Sequence, residues 1–258
     1  MKPAALILAG SRGEPDELCM AQGIAHKALI EVGGLPLLAR VQAALNAAGI
    51  ERIAVSCSDP AVSALARQLG CEVLESASGP SASVADAFAV LGAPMLVTTA
   101  DHALLRPQWV QQFISDTPAE ADVSVMLARR DRVEKALPGS RRTWLKFADG
   151  EWSGCNLFFL ATTQAEAAIA MWRMVERERK RPWKIALRLG PGMLWRYFRG
   201  RLALATAVER LGSRIGIRAC VVAAADGLAA VDVDRLSDLA DVRRIAAECD
   251  LPPEKGRL

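Results

Sequence analysis

Histidine and tyrosine are nearly absent from this 258-residue chain, which has two of the first and one of the second. The only histidines are His26 and His102, and no G-x-S-x-G elbow frames a serine, so no hydrolase triad is legible. The six cysteines are scattered and none forms a C-x-x-C pair. That excludes a zinc ribbon and a compact disulfide framework, and reads instead as reduced thiols in a cytoplasmic protein. Long apolar runs are missing too. The first one, after Met1-Lys2-Pro3, ends at Gly10, far short of a bilayer span, and no signal peptide is expected. A net charge of +3 is too small to point to nucleic acid. There is no internal repeat, no low-complexity tract and no linker. What remains is 52% apolar residues, ample for one large core. The expectation is a single domain over 1–258 with a helical insertion at 163–212.

Strand and helix signals alternate through the first half. Ala4–Ala9, Arg52–Ser56, Glu72–Glu75, Met95–Thr99 and Ala121–Ala128 read as strands. Pro36–Ala48, Asp59-Pro60 to Leu69, Ser81–Leu91 and Arg106–Ile114 read as helices, with proline at starts and glycine at ends. This alternation predicts βαβ units and a mostly parallel sheet. Beyond it, Arg142–Phe147 and Trp152–Leu160 read as strands. Helix then runs to about residue 212, broken at Pro182 and Gly190-Pro191-Gly192. Two short strands, Gly216–Ala223 and Ala229–Val233, precede a helix from Leu236 to about Ala247.

The first strand runs into Gly10-Ser11-Arg12-Gly13. Ligands of open α/β sheets bind at that carboxyl edge. Glycines let backbone N–H groups approach an anion, and Arg12 offers a bidentate phosphate fork. A plain βα turn is the alternative for such a loop alone. It is neither a dinucleotide fingerprint nor a Walker A loop. Asp101 follows the apolar run Pro94–Thr99, at the end of another buried strand. Far downstream comes Val231-Asp232-Val233-Asp234. A glycine/arginine loop, Lys27 and two separated carboxylate sites suit the holding of a nucleoside triphosphate and a divalent metal.

Leu8-Ala9-Gly10-Ser11-Arg12-Gly13, His26-Lys27-Ala28-Leu29 and Gly33-Gly34-Leu35-Pro36-Leu37-Leu38 together resemble the opening of the MobA-like nucleotidyltransferases. That superfamily includes molybdenum-cofactor guanylyltransferases and sugar-phosphate or cytidylyl transferases. Ser11 departs from the usual L-A-G-G, and Glu14, Asp16 and Glu17 make the following loop unusually acidic. The resemblance covers roughly residues 4–160 and 216–246. It implies a three-layer α/β sandwich of the nucleotide-diphospho-sugar transferase type, similar to A-type glycosyltransferases. It also implies transfer of a nucleoside monophosphate to a phosphorylated acceptor, with release of pyrophosphate. Lys27 and Arg12 would be catalytic. Leu8, Ala9, Gly10, Ser11 and Gly13, with Gly79, Ser81 and Ser83 from a small-residue turn, would hold the nucleotide. Ser81 or Ser83 as a helix N-cap is the plain alternative. Asp101, Asp232 and Asp234 would ligate Mg²⁺, which takes one or two protein carboxylates. Asp232 is the first choice of its pair, and Asp234 as a helix N-cap stays open. His102, Gly154 and Asn156 are acceptor-side candidates, and the placing of both histidines beside Lys27 and Asp101 suggests phosphate or acceptor contacts. A nucleotide-sugar glycosyltransferase would want D-x-D where Asp101-His102-Ala103 stands. An inactive nucleotide-binding regulatory protein is the remaining alternative.

Residues 171–201 contain ten Lys or Arg, two acids, three of the six tryptophans and the only tyrosine. Basic residues interleaved with aromatics mark an anionic membrane surface or lipid headgroup, and less readily nucleic acid. The segment is expected to face a phosphorylated small-molecule or lipid-linked acceptor rather than the nucleotide. Peripheral membrane contact and a purely structural helical cap are both open.

Overall fold

The computed structural model describes residues 2–11, 17–178 and 190–250. Its frame is an eight-stranded sheet. Four strands lie parallel in the order β6 (Met95–Thr99), β1 (Ala4–Leu8), β4 (Ile53–Ser56) and β5 (Glu72–Leu74). β9 (Gly150–Leu160) runs antiparallel to β6 on one side and to β7 (Val123–Arg129) on the other. β10 (Ala219–Ala223) extends the edge parallel to β7, and the short β8 (Leu145–Phe147) folds back on β9. The fold is therefore the mostly parallel α/β arrangement that the alternating pattern predicts.

Buried parallel strands are apolar on both faces, and β1 shows why two helical layers are needed. Ala5 and Ile7 point into one core, Leu6 into the other. The first core takes α2 (Leu37–Ala47), α3 (Pro60–Gln68), α5 (Pro107–Asp116) and α10 (Leu236–Asp250), with Phe113, Leu45 and Val242 fully buried. It also takes the short α1 (Glu17–Gln22) through Leu18, and α6 (Arg130–Ala136) through Val133. The second core takes α4 (Pro80–Leu91) and α7 (Ala165–Arg177), through Phe88 and Ile169. On that same side α9 (Leu204–Arg214) packs on β7 and β9, and α8 (Pro191–Phe198) rests on α9 through Met193.

The caps follow the chemistry. Asp59 accepts from Ala61 and Val62 at the start of α3, and Pro60 opens its first turn. Asp238 sits in the first turn of α10 and accepts from the amides of Asp234 and Arg235. Gly33-Gly34 joins two-residue strands β2 (Glu31–Val32) and β3 (Leu35–Pro36) with φ of +60° and +75°. Two successive left-handed residues are what a tight hairpin turn demands, and glycine supplies them without strain.

Local pattern misses this hairpin, because two-residue strands are too short to show alternation. It also misses α6. Ala229–Val233 is not a strand: residues 227–230 form a 3₁₀ turn capped by Asp226. The Val231 amide closes that turn on Leu228, and the Val233 amide donates to the Asp101 carbonyl at 3.1 Å. The apolar residues there are buried by packing over the strand ends instead of by sheet pairing.

Candidate nucleotide site at the carboxyl edge of the sheet

Parallel register sets Leu8, Ser56 and Thr99 side by side where β1, β4 and β6 end. These three line a cleft of about 1110 Å³, together with Gly10, Ser11, residues 76–83 and Asp101. Arg12 and Gly13 lie outside the described residues. Ala9 is buried and its amide donates to the Ser56 carbonyl at 2.9 Å. That amide is engaged with the end of the sheet. Gly10 and Ser11 are exposed at the mouth.

Lys27 opens a single 3₁₀ turn, 27–29, and His26 shapes it. The His26 Nδ1 accepts from the Ala28 amide at 3.1 Å, and the ring is buried. The histidine beside the lysine thus caps the turn that carries Lys27. The Lys27 ammonium donates to Asp101 Oδ2 at 2.8 Å and Asp234 Oδ1 at 2.6 Å. Burial alone would pull the pKa of this ammonium down. The charges and hydrogen bonds of Asp101 and Asp234 outweigh it, and the pKa is raised. Thr99 Oγ1 donates to the other Asp101 oxygen. Residues separated by 74 and 207 positions therefore meet at one cation.

Asp232 takes a different partner set. It pairs with the Arg142 guanidinium and accepts from Asn156 Nδ2 at 2.8 Å. Burial raises its pKa; Arg142 opposes this, while Asp101 and Asp234 add to it. Three carboxylates thus feel one another across the strand ends. Asn156 sits at φ +50°, where the β7–β9 register slips. A left-handed asparagine in a β-bulge is a strained position of the kind found beside functional sites. Gly154, on the same irregular stretch, is exposed with open space around it.

His102 does not reach this edge. It is 1% exposed and stacked on Trp109 at 6.2 Å. Burial pushes its pKa down to about 4, against the opposing charge of Asp101. The Ser81 and Ser83 expectation divides. Gly79, not a serine, is the N-cap of α4, and it has no side-chain capping bond. Ser83 Oγ accepts from the Ala77 amide at 2.9 Å, which ties the loop down.

Two residues that matter here were missed in sequence. Arg142 is 10% exposed and holds Asp232. Glu176, on α7, accepts from the Ser81 amide at 3.1 Å and from the Ser81 hydroxyl. Its one signal was its rarity, as one of two acids in the basic stretch 171–201. Trp172, Arg173, Val175, Glu176 and Arg177 line the same cleft as Gly10 and Ser11. The start of the basic stretch therefore lines the cleft that Gly10 and Ser11 open. Lys180, with residues 179–189, lies outside the described residues. Among the described residues no group of three or more His, Cys, Asp or Glu is arranged to hold a metal, and no helix is long and apolar enough to cross a membrane. Cys19, Cys57, Cys71, Cys155 and Cys220 are in no disulfide.

A mostly parallel α/β sheet with a small-residue cleft, a lysine and carboxylates at one edge defines a class of nucleotide-handling transferase. The profile of the MobA-like NTP transferase domain matches residues 5–180, and the chain belongs to that family. A structure described as a hypothetical transferase from Thermus thermophilus is 29% identical, with TM-score 0.80, covering 93% of this chain and 100% of its own. A nucleotidyl transferase from Methanothermobacter thermautotrophicus is 19% identical, with TM-score 0.57, covering 96% of this chain and 99% of its own. The 2-C-methyl-D-erythritol 4-phosphate cytidylyltransferase, also from Thermus thermophilus, is 16% identical, with TM-score 0.56, covering 96% and 100%. The last two share the fold. Comparison with curated proteins gives no match.

Proposed function

We propose that the protein, acting as one transferase unit, moves a nucleoside monophosphate from a nucleoside triphosphate to a phosphorylated acceptor. An acceptor phosphate oxygen attacks the α-phosphorus, the bond from that phosphorus to the β-phosphate bridging oxygen breaks, and pyrophosphate leaves with the electron pair. The observation that carries this reading is Lys27, held between Asp101 and Asp234 beside the cleft that Gly10 and Ser11 open. A fixed ammonium in a partly water-excluded edge stabilises charge that grows on the phosphoryl oxygens without reorganising. Gly10, Ser11 and the loop 79–83 orient the nucleotide, so the nucleophile meets phosphorus in line.

The donor chemistry here fits Mg²⁺. Asp101, Asp234 and Asp232 offer hard oxygens, one or two of which would hold the ion. When bound, it would neutralise triphosphate charge. Asp101 is the first ligand of choice, with the 232/234 pair supplying the second. Asn156 and Gly154, on the β9 bulge, lie toward the acceptor side. The end of α8, with Trp195, Tyr197 and Phe198 exposed among Arg196 and the following Arg199 and Arg201, supports peripheral contact with an anionic lipid surface or lipid-linked acceptor. This reading places the protein in the cytoplasm.

The test is pyrophosphate release from each of the four triphosphates mixed with phosphorylated sugars and alcohols, with Mg²⁺ or with EDTA. Release should need triphosphate, acceptor and metal together, and should vanish in Asp101→Asn. Release that survives both EDTA and this substitution refutes the assignment.

A further inference from the structure

Asp232 is gripped from two sides. Arg142, in the segment after α6, donates to its Oδ1, and Asn156 of β9 donates to its Oδ2 at 2.8 Å. Both partners are held at a cost. The Arg142 side chain is 10% exposed, and its buried Nε meets no acceptor among the described residues. A buried donor left unpaired destabilises a fold. Asn156 takes φ +50° on the stretch where β9 slips against β7, outside the range of ordinary strand residues. The core beside it is closed by Cys155 and Leu157 and needs neither feature. Two unfavourable features thus converge on one carboxylate. Such features persist where the surroundings over-determine them, and they cluster at functional sites.

Three carboxylates, Asp101, Asp232 and Asp234, share this edge with two cations, Lys27 and Arg142. Lys27 holds the first and the third together. Without its own anchors, Asp232 would turn from these like charges toward water. An ionised carboxylate offers about four lone-pair sites. One on each oxygen is taken here, and one on each is left. Resting on the nucleotidyltransferase reading, we propose that Arg142 and Asn156 are positioning residues, which fix the Asp232 carboxylate in the orientation that receives the divalent cation. They act through Asp232 and touch neither the ion nor the triphosphate. The planar guanidinium sets a direction that a flexible ammonium does not.

The experiment is titration of Mn²⁺ into the full chain, alone and with each of the four triphosphates, read by water-proton relaxation. Arg142→Lys keeps the charge and loses the fork. Asn156→Gly accepts a positive φ without strain and loses only the amide. Neither alters net charge, so a change in Mn²⁺ affinity reports orientation. Each should weaken Mn²⁺ binding about ten- to a hundred-fold, the usual loss when a partner behind a metal ligand is removed. Asp232→Asn should weaken it too, and adding Arg142→Lys to Asp232→Asn should cost nothing further, since the lysine change acts only through Asp232. Melting temperatures check the fold, and if Arg142→Lys does not fold, Asn156→Gly decides alone. Wild-type Mn²⁺ affinity in Arg142→Lys and Asn156→Gly makes both ties merely structural and overturns the proposal, while the nucleotidyltransferase reading stands. Additive losses in the double variant overturn it as well, as does wild-type affinity in Asp232→Asn. A wild type that holds no Mn²⁺ with any triphosphate overturns both.

Discussion

Lys27 and the arginines in and just after α8 are both concentrated positive charge, and the two regions treat it in opposite ways. The Lys27 side chain is 20% exposed and lies between two carboxylates drawn from distant parts of the chain. Arg196, Arg199 and Arg201 are exposed, interleaved with Phe198, which is 82% exposed, and with Trp195, on whose ring Arg199 lies at 4.7 Å. A partly buried, oriented charge acts strongly at short range and resists salt. An exposed one is screened within about 8–10 Å at physiological ionic strength. The first region holds its charge fixed beside the cleft, and the second leaves its charge open to solvent.

The largest effect should come from breaking the first region. Asp101→Asn is expected to abolish Mg²⁺-dependent turnover while circular dichroism stays native; near-normal rates at saturating metal would remove Asp101 from the site. Next comes Lys27→Ala, with kcat lowered by about two orders of magnitude or more, the usual loss for an oriented charge partner. Steady-state kinetics separate this from a pure KM change. Within the carboxylate pair, Asp232→Asn should cost more than Asp234→Asn in both rate and melting temperature. Asp232→Asn leaves Arg142 buried without its partner, a change worth about 3 kcal/mol or more, whereas the Asp234 side chain is 63% exposed. The opposite order would show that the exposed member is the ligand.

His102 sharpens the comparison from behind the site. Its folded pKa is about 4 against an ordinary 6.5, so the native state refuses a proton that the unfolded chain takes. The stability this represents is complete above pH 6.5 and is lost as pH falls toward 4, at about 1 kcal/mol per pH unit. His102→Phe should flatten that slope in urea titrations and leave triphosphate affinity unchanged. Smallest in the kinetics should be Arg196, Arg199 and Arg201 changed together to Ser: triphosphate affinity within about two-fold, as for exposed charges remote from a ligand. Co-sedimentation with anionic vesicles at low salt should nonetheless drop. A variant that sediments like the wild type leaves α8 a structural cap.

Legibility followed the range of the interactions. α3 was readable because Asp59-Pro60 and Gly70 act within a turn of it. β1 and β6 were readable because burial on both faces leaves no polar position in Leu6-Ile7 or Leu96-Val97. The meeting of Lys27 and Asp101 had a motif behind it. Glu176 on Ser81 and Arg142 on Asp232 had none, because partners 95 and 90 positions apart are matched only by the way α7 crosses α4 and the way the segment after α6 crosses the strand ends. The stretch 171–201 reads as one basic unit because composition does not record direction. In the fold α7 turns into the cleft and α8 turns out.

From the sequence alone came the alternating strands and helices, the family, the edge of the sheet that carries the candidate site, and Lys27 with its aspartates. These depend on periodicity, turn chemistry and short motifs, which are properties of neighbours in the chain. The tertiary structure alone decided which carboxylate pairs with which cation, that His26 caps while His102 is buried, that residues 229–233 form no strand, and that Glu176 borders the loop 79–81. Each of these depends on the distance between groups far apart in the chain, and that distance exists only once both helical layers have closed on the sheet.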